Sequence, residues 1–163
     1  SNIIGMMTAQ LDNSSSISVG TVFNPHSGYG MRNNVRYRYN ASSGYRNKIL
    51  NMDYRFFRGR EEEIDLSGVY SFNKDLSLVG KYNYSFANSR SNDEDLIDTM
   101  IGVEYESCCY ALKIVAREYW TGVKKDNAFF VEFLPKGITT TNNKTSDLLR
   151  RGIPGYIDRT TYD

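Results

Sequence analysis

Adjacent cysteines, Cys108 and Cys109, are the two thiols of this sequence, set in Gly102-Val-Glu-Tyr-Glu-Ser-Cys-Cys-Tyr-Ala-Leu-Lys113. Oxidation, exchange and metal ligation are the chemistries open to thiols, and the surroundings select among them. Neighbouring cysteines rarely bond to each other, because their Cβ atoms diverge on an extended backbone and the small ring is distorted. In an oxidising compartment each would need another partner, and the chain holds no further cysteine. Two readings remain: a pair of ordinary thiols, or one part of a larger disulfide-bonded protein. Metal binding is disfavoured, since no further Cys or His lies at ligand spacing.

The other reactive residue types carry less. His26, the single histidine, lies in Asn24-Pro-His-Ser-Gly-Tyr-Gly30 without a carboxylate or cysteine cluster, and reads as a solvated loop residue. Gly28-Tyr-Gly30 resembles half of a phosphate loop but lacks the strand–loop–helix context. Glu61-Glu62-Glu63 follows Arg58-Gly-Arg60, so a divalent cation or lipid phosphates could sit there, and a solvated loop is the plainer reading. No nucleophile or general base stands out, and no cofactor is implied. The chain reads as a non-enzyme.

Composition bounds the setting of these residues. A length of 163 residues suffices for a domain with a core. A net charge of +1 argues against a dedicated nucleic-acid binder. Mean hydropathy is −0.52, and no apolar run is long enough for a membrane helix. A barrel strand needs only about ten residues with one apolar face, so the membrane stays open. Ser1-Asn2-Ile3-Ile4 shows neither an initiator Met nor a signal-peptide pattern and reads as if already inside a strand, which suggests a fragment.

Period-two alternation predicts about nine strands, over residues 3–11, 17–24, 34–40, 48–57, 63–72, 76–86, 96–106, 110–120 and 127–135. The clearest hairpin turns at Asn73-Lys74-Asp75. Before it Ile64, Leu66, Gly68, Tyr70 and Phe72 share one face; after it Leu76, Leu78, Gly80, Tyr82, Tyr84 and Phe86 do. Longer polar connections (24–33, 58–62, 87–95, 121–126) alternate with shorter ones (12–16, 41–47, 73–75, 107–109), although 41–47 is not short. That alternation is the habit of outer-membrane barrels, with long extracellular loops and short periplasmic turns.

Aromatic placement agrees. Tyr54, Phe56, Tyr84, Phe86 and Trp120 lie beside the longer loops; Tyr37, Tyr39, Tyr70, Phe72, Tyr105 and Tyr110 lie beside the shorter turns. Between them run Leu50, Met52, Leu66, Leu78, Ile101, Leu112 and Ile114. Two aromatic bands around an aliphatic belt match interfacial girdles, which favours a membrane barrel over a soluble β-sandwich binding module. The opposite faces carry Arg36, Arg38, Asn51, Asp53, Arg55, Asp65, Lys81, Asn83, Glu104, Glu106, Lys113 and Arg117. These suit a hydrated lumen, or a surface for a plug protein or a polar, phosphorylated ligand. On this reading Cys108 and Cys109 occupy a periplasmic turn, where oxidation is expected.

Residues 1–135 thus read as barrel strands and 136–163 as a tail. In the tail, Thr145-Ser-Asp-Leu-Leu-Arg-Arg-Gly152 predicts a capped helical turn ending at glycine, and Ile153-Pro-Gly-Tyr-Ile-Asp158 an extended or turning segment.

Three stretches carry a resemblance. Met100-Ile-Gly-Val-Glu-Tyr-Glu-Ser-Cys-Cys-Tyr-Ala-Leu-Lys113 resembles the adjacent-cysteine strand pair of the LPS-assembly outer-membrane protein family LptD. Asn127-Ala-Phe-Phe-Val-Glu-Phe-Leu-Pro-Lys-Gly137 is similar to that family's last barrel strand, and Ser146-Asp-Leu-Leu-Arg-Arg-Gly-Ile-Pro-Gly-Tyr156 to the segment beyond it. The upstream strands agree only in general barrel character. The resemblance implies the C-terminal third of an antiparallel transmembrane barrel of about 26 strands, with an N-terminal periplasmic β-jellyroll elsewhere in the protein. It implies a lipoprotein plug, LptE, in the lumen. Lipopolysaccharide would be received from a periplasmic LPS-transport bridge and inserted into the outer leaflet of the Gram-negative outer membrane.

By the same resemblance Cys108 and Cys109 each bond a cysteine of the N-terminal region, and lipid leaves sideways through a seam between the first and last strands. Phe129, Val131 and Phe133 then face lipid on that last strand. Pro135, which cannot donate to a ladder, marks its end. A porin or autotransporter-like translocator is the alternative; it leaves the cysteine pair and the tail unexplained. A third of such a barrel does not close alone, because tilt and shear are set for the larger ring. An open curved sheet is expected, or a chain held by a larger assembly such as the outer-membrane barrel-assembly machinery.

Overall fold

Alternating sequence assigns each strand residue to a face, and antiparallel register then decides which residues meet. The computed structural model describes residues 3–25, 29–41, 47–58, 61–86, 96–122, 124–136 and 144–158. The strands are β1 Ile3–Gln10, β2 Ser15–Asn24, β3 Tyr29–Asn40, β4 Lys48–Phe57, β5 Glu61–Ser71, β6 Leu76–Ser85, β7 Leu96–Glu106, β8 Tyr110–Trp120 and β9 Lys125–Pro135. They form one antiparallel sheet in sequence order, with β1 and β9 at its edges. The sheet is open.

Strands β4, β7 and β8 coincide with the alternating stretches. β3 differs, beginning at Tyr29 where alternation predicts residue 34. The ladder runs on through Arg32↔Val22, Gly30↔Phe23 and Tyr29↔Asn24, past a register shift between Val22 and Phe23. Backbone pairing needs no apolar side chains, so a polar strand end is invisible to a periodicity argument. For the same reason Glu61–Glu63, expected to sit mainly in a loop, opens β5.

One face of the sheet is bare and apolar. Leu50, Met52, Leu78, Ile101 and Ile114 are exposed there, with Tyr70, Phe72, Phe86, Tyr105 and Tyr110 towards its two ends. The other face is covered by the tail. Helix α1, Lys144–Gly152, and the residues after it place Leu149, Ile153 and Tyr156 against Ile49, Val69, Val79, Met100 and Val115. Leu149 and Ile153 are fully buried, each worth about 1.5–3 kcal/mol of transfer free energy. Gly102 lies beneath this cluster: a Cβ there would come 2.8 Å from both the Ile114 carbonyl and Val115 Cγ2. The core therefore sits between the tail and the face that alternation marks as polar.

Candidate functional site: an ion-paired inner face and its docked tail

Facing residues on β3 to β8 build a row of charge across the inner side. Asp53 receives Arg36 at 2.7 Å and Arg38 at 3.0 Å. Asp65, opposite Asp53 in the register, has Lys81 at 3.8 Å and the Asn83 amide at 3.3 Å. Lys81 also reaches Asp98 at 3.3 Å, and Arg117 meets Asp98 at 2.7 Å. Cations and carboxylates alternate across these strands except at β4 and β5, where Asp53 and Asp65 stand opposite each other, and each of these carboxylates has a cation at hand. All twelve polar residues assigned to this face by alternation lie on it, by register and burial.

Several contacts fasten the tail to the sheet. Glu132 of β9 accepts the Thr145 amide at 2.8 Å and the Ser146 hydroxyl at 3.3 Å. A carboxylate from another element thus caps α1, where its backbone amides and dipole favour negative charge. Lys113 Nζ donates to Ser146 Oγ at 2.6 Å and pairs with Asp158 at 2.9 Å. Asn51 donates to the Pro154 carbonyl at 2.9 Å. The Tyr156 hydroxyl donates to Glu104; burial, then the Glu104 charge, holds that phenol protonated well above its ordinary range. The chain turns into these contacts through Gly155, whose φ of 85° suits glycine. The left-handed residue is thus Gly155 rather than Gly152, where α1 ends.

Sequence reasoning passed over Glu132, Ser146, Tyr156 and Asp158. Alternation places Val69 and Val79 on the polar face without assigning them a partner, and it passed over the apolar inner residues Ile49, Met100 and Val115. A signal existed: five apolar side chains at polar-face parity on successive strands mark a covered patch. Between α1 and the sheet lies a cavity of about 480 Å³, lined by Lys81, Asp98, Arg117, Lys144, Asp147 and Arg151 among others. Four cations against two carboxylates suit it to an anion.

The cysteines occupy the turn between β7 and β8. The Ser107 amide donates to the Tyr110 carbonyl at 2.8 Å, leaving Cys108 and Cys109 at the two central positions, exposed and as free thiols. Their sulfurs lie 2.7 Å apart. The hydrogen bond with Cys109, then one from Ser107, lowers the Cys108 thiol below its usual range, and the same contact between the sulfurs raises that of Cys109. β9 ends at the same edge of the sheet: Pro135 is opposite Tyr110, and the next amide, Lys136, donates to the Cys109 carbonyl at 2.8 Å. Phe129, Val131 and Phe133 lie exposed on the outer side of β9, from 58% to 69% accessible. Glu62 accepts from Tyr54 at 2.8 Å and Glu63 pairs with Arg55 at 3.4 Å. His26, Gly28 and Arg60 lie outside the described residues.

Strands of eight to twelve residues, bare and apolar outside and ion-paired inside, define a class: a segment of an antiparallel transmembrane β-barrel. No helix of the described residues is long and apolar enough to cross a membrane.

No protein-family model matches the chain. It is 31% identical over 156 residues to the LPS-assembly protein LptD of Nitrosococcus oceani, covering 94% of the chain and 20% of that protein. It is 32% identical over 131 residues to the LPS-assembly protein LptD of Xylella fastidiosa, covering 75% and 15%. With the protein of that name from Chromobacterium violaceum it shares 31% over 148 residues, covering 82% and 18%. The chain is LptD-like, of the C-terminal part of that family's barrel. It spans a fifth or less of the length of these curated relatives.

Proposed function

We propose that this chain is part of the wall of an outer-membrane barrel that assembles lipopolysaccharide in a Gram-negative bacterium. The observation that carries the reading is the pairing of a bare apolar outer face with an ion-paired inner face, in a chain similar to proteins named for LPS assembly. Lipopolysaccharide joins a phosphorylated polar head to several acyl chains. A wet, charged inner wall suits the head, and the cations about the inner cavity suit its phosphates. The acyl chains need a wall that opens. Lipid arriving from the periplasmic bridge passes outward at a seam between β9 and the first strand of the whole barrel, with Phe129, Val131 and Phe133 on the membrane side. A short, poorly bonded strand pair parts at lower cost than a full ladder. The step is transport, with no covalent chemistry.

Cys108 and Cys109 bond two cysteines of the N-terminal region, one each; their exposure on a turn supports this. The LptE plug occupies the lumen beyond the tail, a reading supported by the exposed, inward-facing Ile4 and Met6 of β1. The barrel-assembly machinery folds the whole.

The test uses the full-length protein in its native membrane. A photo-crosslinking residue at Phe129 or Val131 is expected to trap lipopolysaccharide during active transport, and peptide mapping to find Cys108 and Cys109 joined to N-terminal peptides. Free thiols in the mature protein and no lipid adduct at β9 would overturn the reading.

A further inference from the structure

The outer belt is hollowed between β4 and β7. Gly68 of β5 and Gly80 of β6 stand directly opposite each other, and Leu50 and Ile101 flank them in the same cross-strand row. The glycine pair leaves a bowl of about 690 Å³ in the outer face, a size common for small-molecule sites. Leu50, Leu66, Tyr70, Leu78, Tyr82 and Ile101 wall it. On the rim towards the turns stands Lys48, its Nζ 5.3 Å from the centroid of the Tyr70 ring. Lys48 is two residues from Leu50, about 7 Å along the strand.

The two glycines differ in why they are there. A Cβ at Gly68 would come 2.6 Å from the Ile49 carbonyl oxygen, so backbone approach excludes a side chain. At Gly80 the nearest atom is the Met100 carbonyl, 3.8 Å away, and φ is not positive. Glycine inside a strand weakens it, and at Gly80 no clash or dihedral requires one. What its missing side chain does is keep the bowl open.

We propose that this bowl binds a glycerophospholipid of the leaflet on the turn side, with the lipid phosphate on Lys48 and the upper part of one acyl chain over Gly68 and Gly80. An apolar hollow gains by being filled with hydrocarbon, and the outward Lys48 ammonium at its rim complements a phosphate as a point charge. The proposal rests on the membrane reading above. It concerns β4 to β7, away from the β9 edge.

The full-length protein is reconstituted in nanodiscs of phosphatidylethanolamine containing phosphatidylglycerol with a diazirine in its acyl chain. After photolysis, adducts are mapped by mass spectrometry. Labelling is expected to concentrate on the outer residues of β5 and β6. Gly80→Leu and Lys48→Gln are each expected to lower it at least about fivefold, while labelling at Phe129 and Phe133 stays unchanged. Lys48→Gln, a rim substitution, keeps the test valid if Gly80→Leu fails to fold. Uniform labelling of the outer wall, unaltered by Lys48→Gln, overturns the lipid site and leaves the membrane reading intact. Absence of labelling at Ile101 and Phe129 alike overturns both.

Discussion

The Lys113 ammonium lies 2.9 Å from an Asp158 carboxylate oxygen, and both side chains are almost wholly removed from water. This pair joins β8 to the far end of the described tail, and Ser146 shares the same ammonium. A buried charge that loses its partner costs about 3–5 kcal/mol. Lys113→Met should therefore release the tail in the full-length protein, exposing 144–158 to protease while the strands stay protected. Lys113→Met with Asp158→Leu should recover most of the loss, since two apolar groups replace two charges. A single variant as protease-resistant as the parent would show that the pair does not hold the tail.

Leu149 packs fully buried between the strands and Ile153. Leu149→Ala should cost about 2–5 kcal/mol of docking, read as faster hydrogen exchange across α1. Exchange in β1, which the tail does not touch through this core, should be unchanged. Equal acceleration in both elements would mean that the tail supports the whole sheet.

Gly68 and Gly80 should respond differently to the same methyl group. Gly68→Ala forces its Cβ towards the Ile49 carbonyl at 2.6 Å, an overpacking worth about 1–3 kcal/mol. Gly80→Ala meets only ordinary contact and should be neutral or slightly stabilising. Urea unfolding of both variants in detergent measures the difference, and equal midpoints would contradict the geometry.

In the reduced protein the two cysteines should titrate in a set order. The contact between the two sulfurs favours the Cys108 thiolate and disfavours that of Cys109. As pH falls, alkylation of Cys109 by iodoacetamide should fade first and that of Cys108 last. Cys108→Ser removes the neighbouring thiolate and should move the onset for Cys109 to lower pH. Site-resolved mass spectrometry follows both rates; a reversed order would refute this assignment of the two thiols.

Much of this was legible in residue order. Strand number, outer and inner faces and the placement of the aromatics follow from a period of two, because side chains on a strand can only alternate. The Ser107–Cys109 turn was legible for the same reason, bounded by two regular strands. The polar start of β3 was not, since cross-strand pairing alone extends it. The helical turn after Thr145 was readable from its residues, yet its cap comes from Glu132, which no local pattern announces.

The sequence by itself determined an all-β chain with one apolar and one charged face, since alternation is local. Where the tail goes was decided only by tertiary structure. Register across five strands gathers Ile49, Val69, Val79, Met100 and Val115 into one patch, and only then does Leu149 have a surface to bury against. The partners of Lys113 lie 33 residues away at Ser146 and beyond at Asp158. Contacts between residues distant in the chain depend on how the whole sheet is stacked, so no window of sequence contains them.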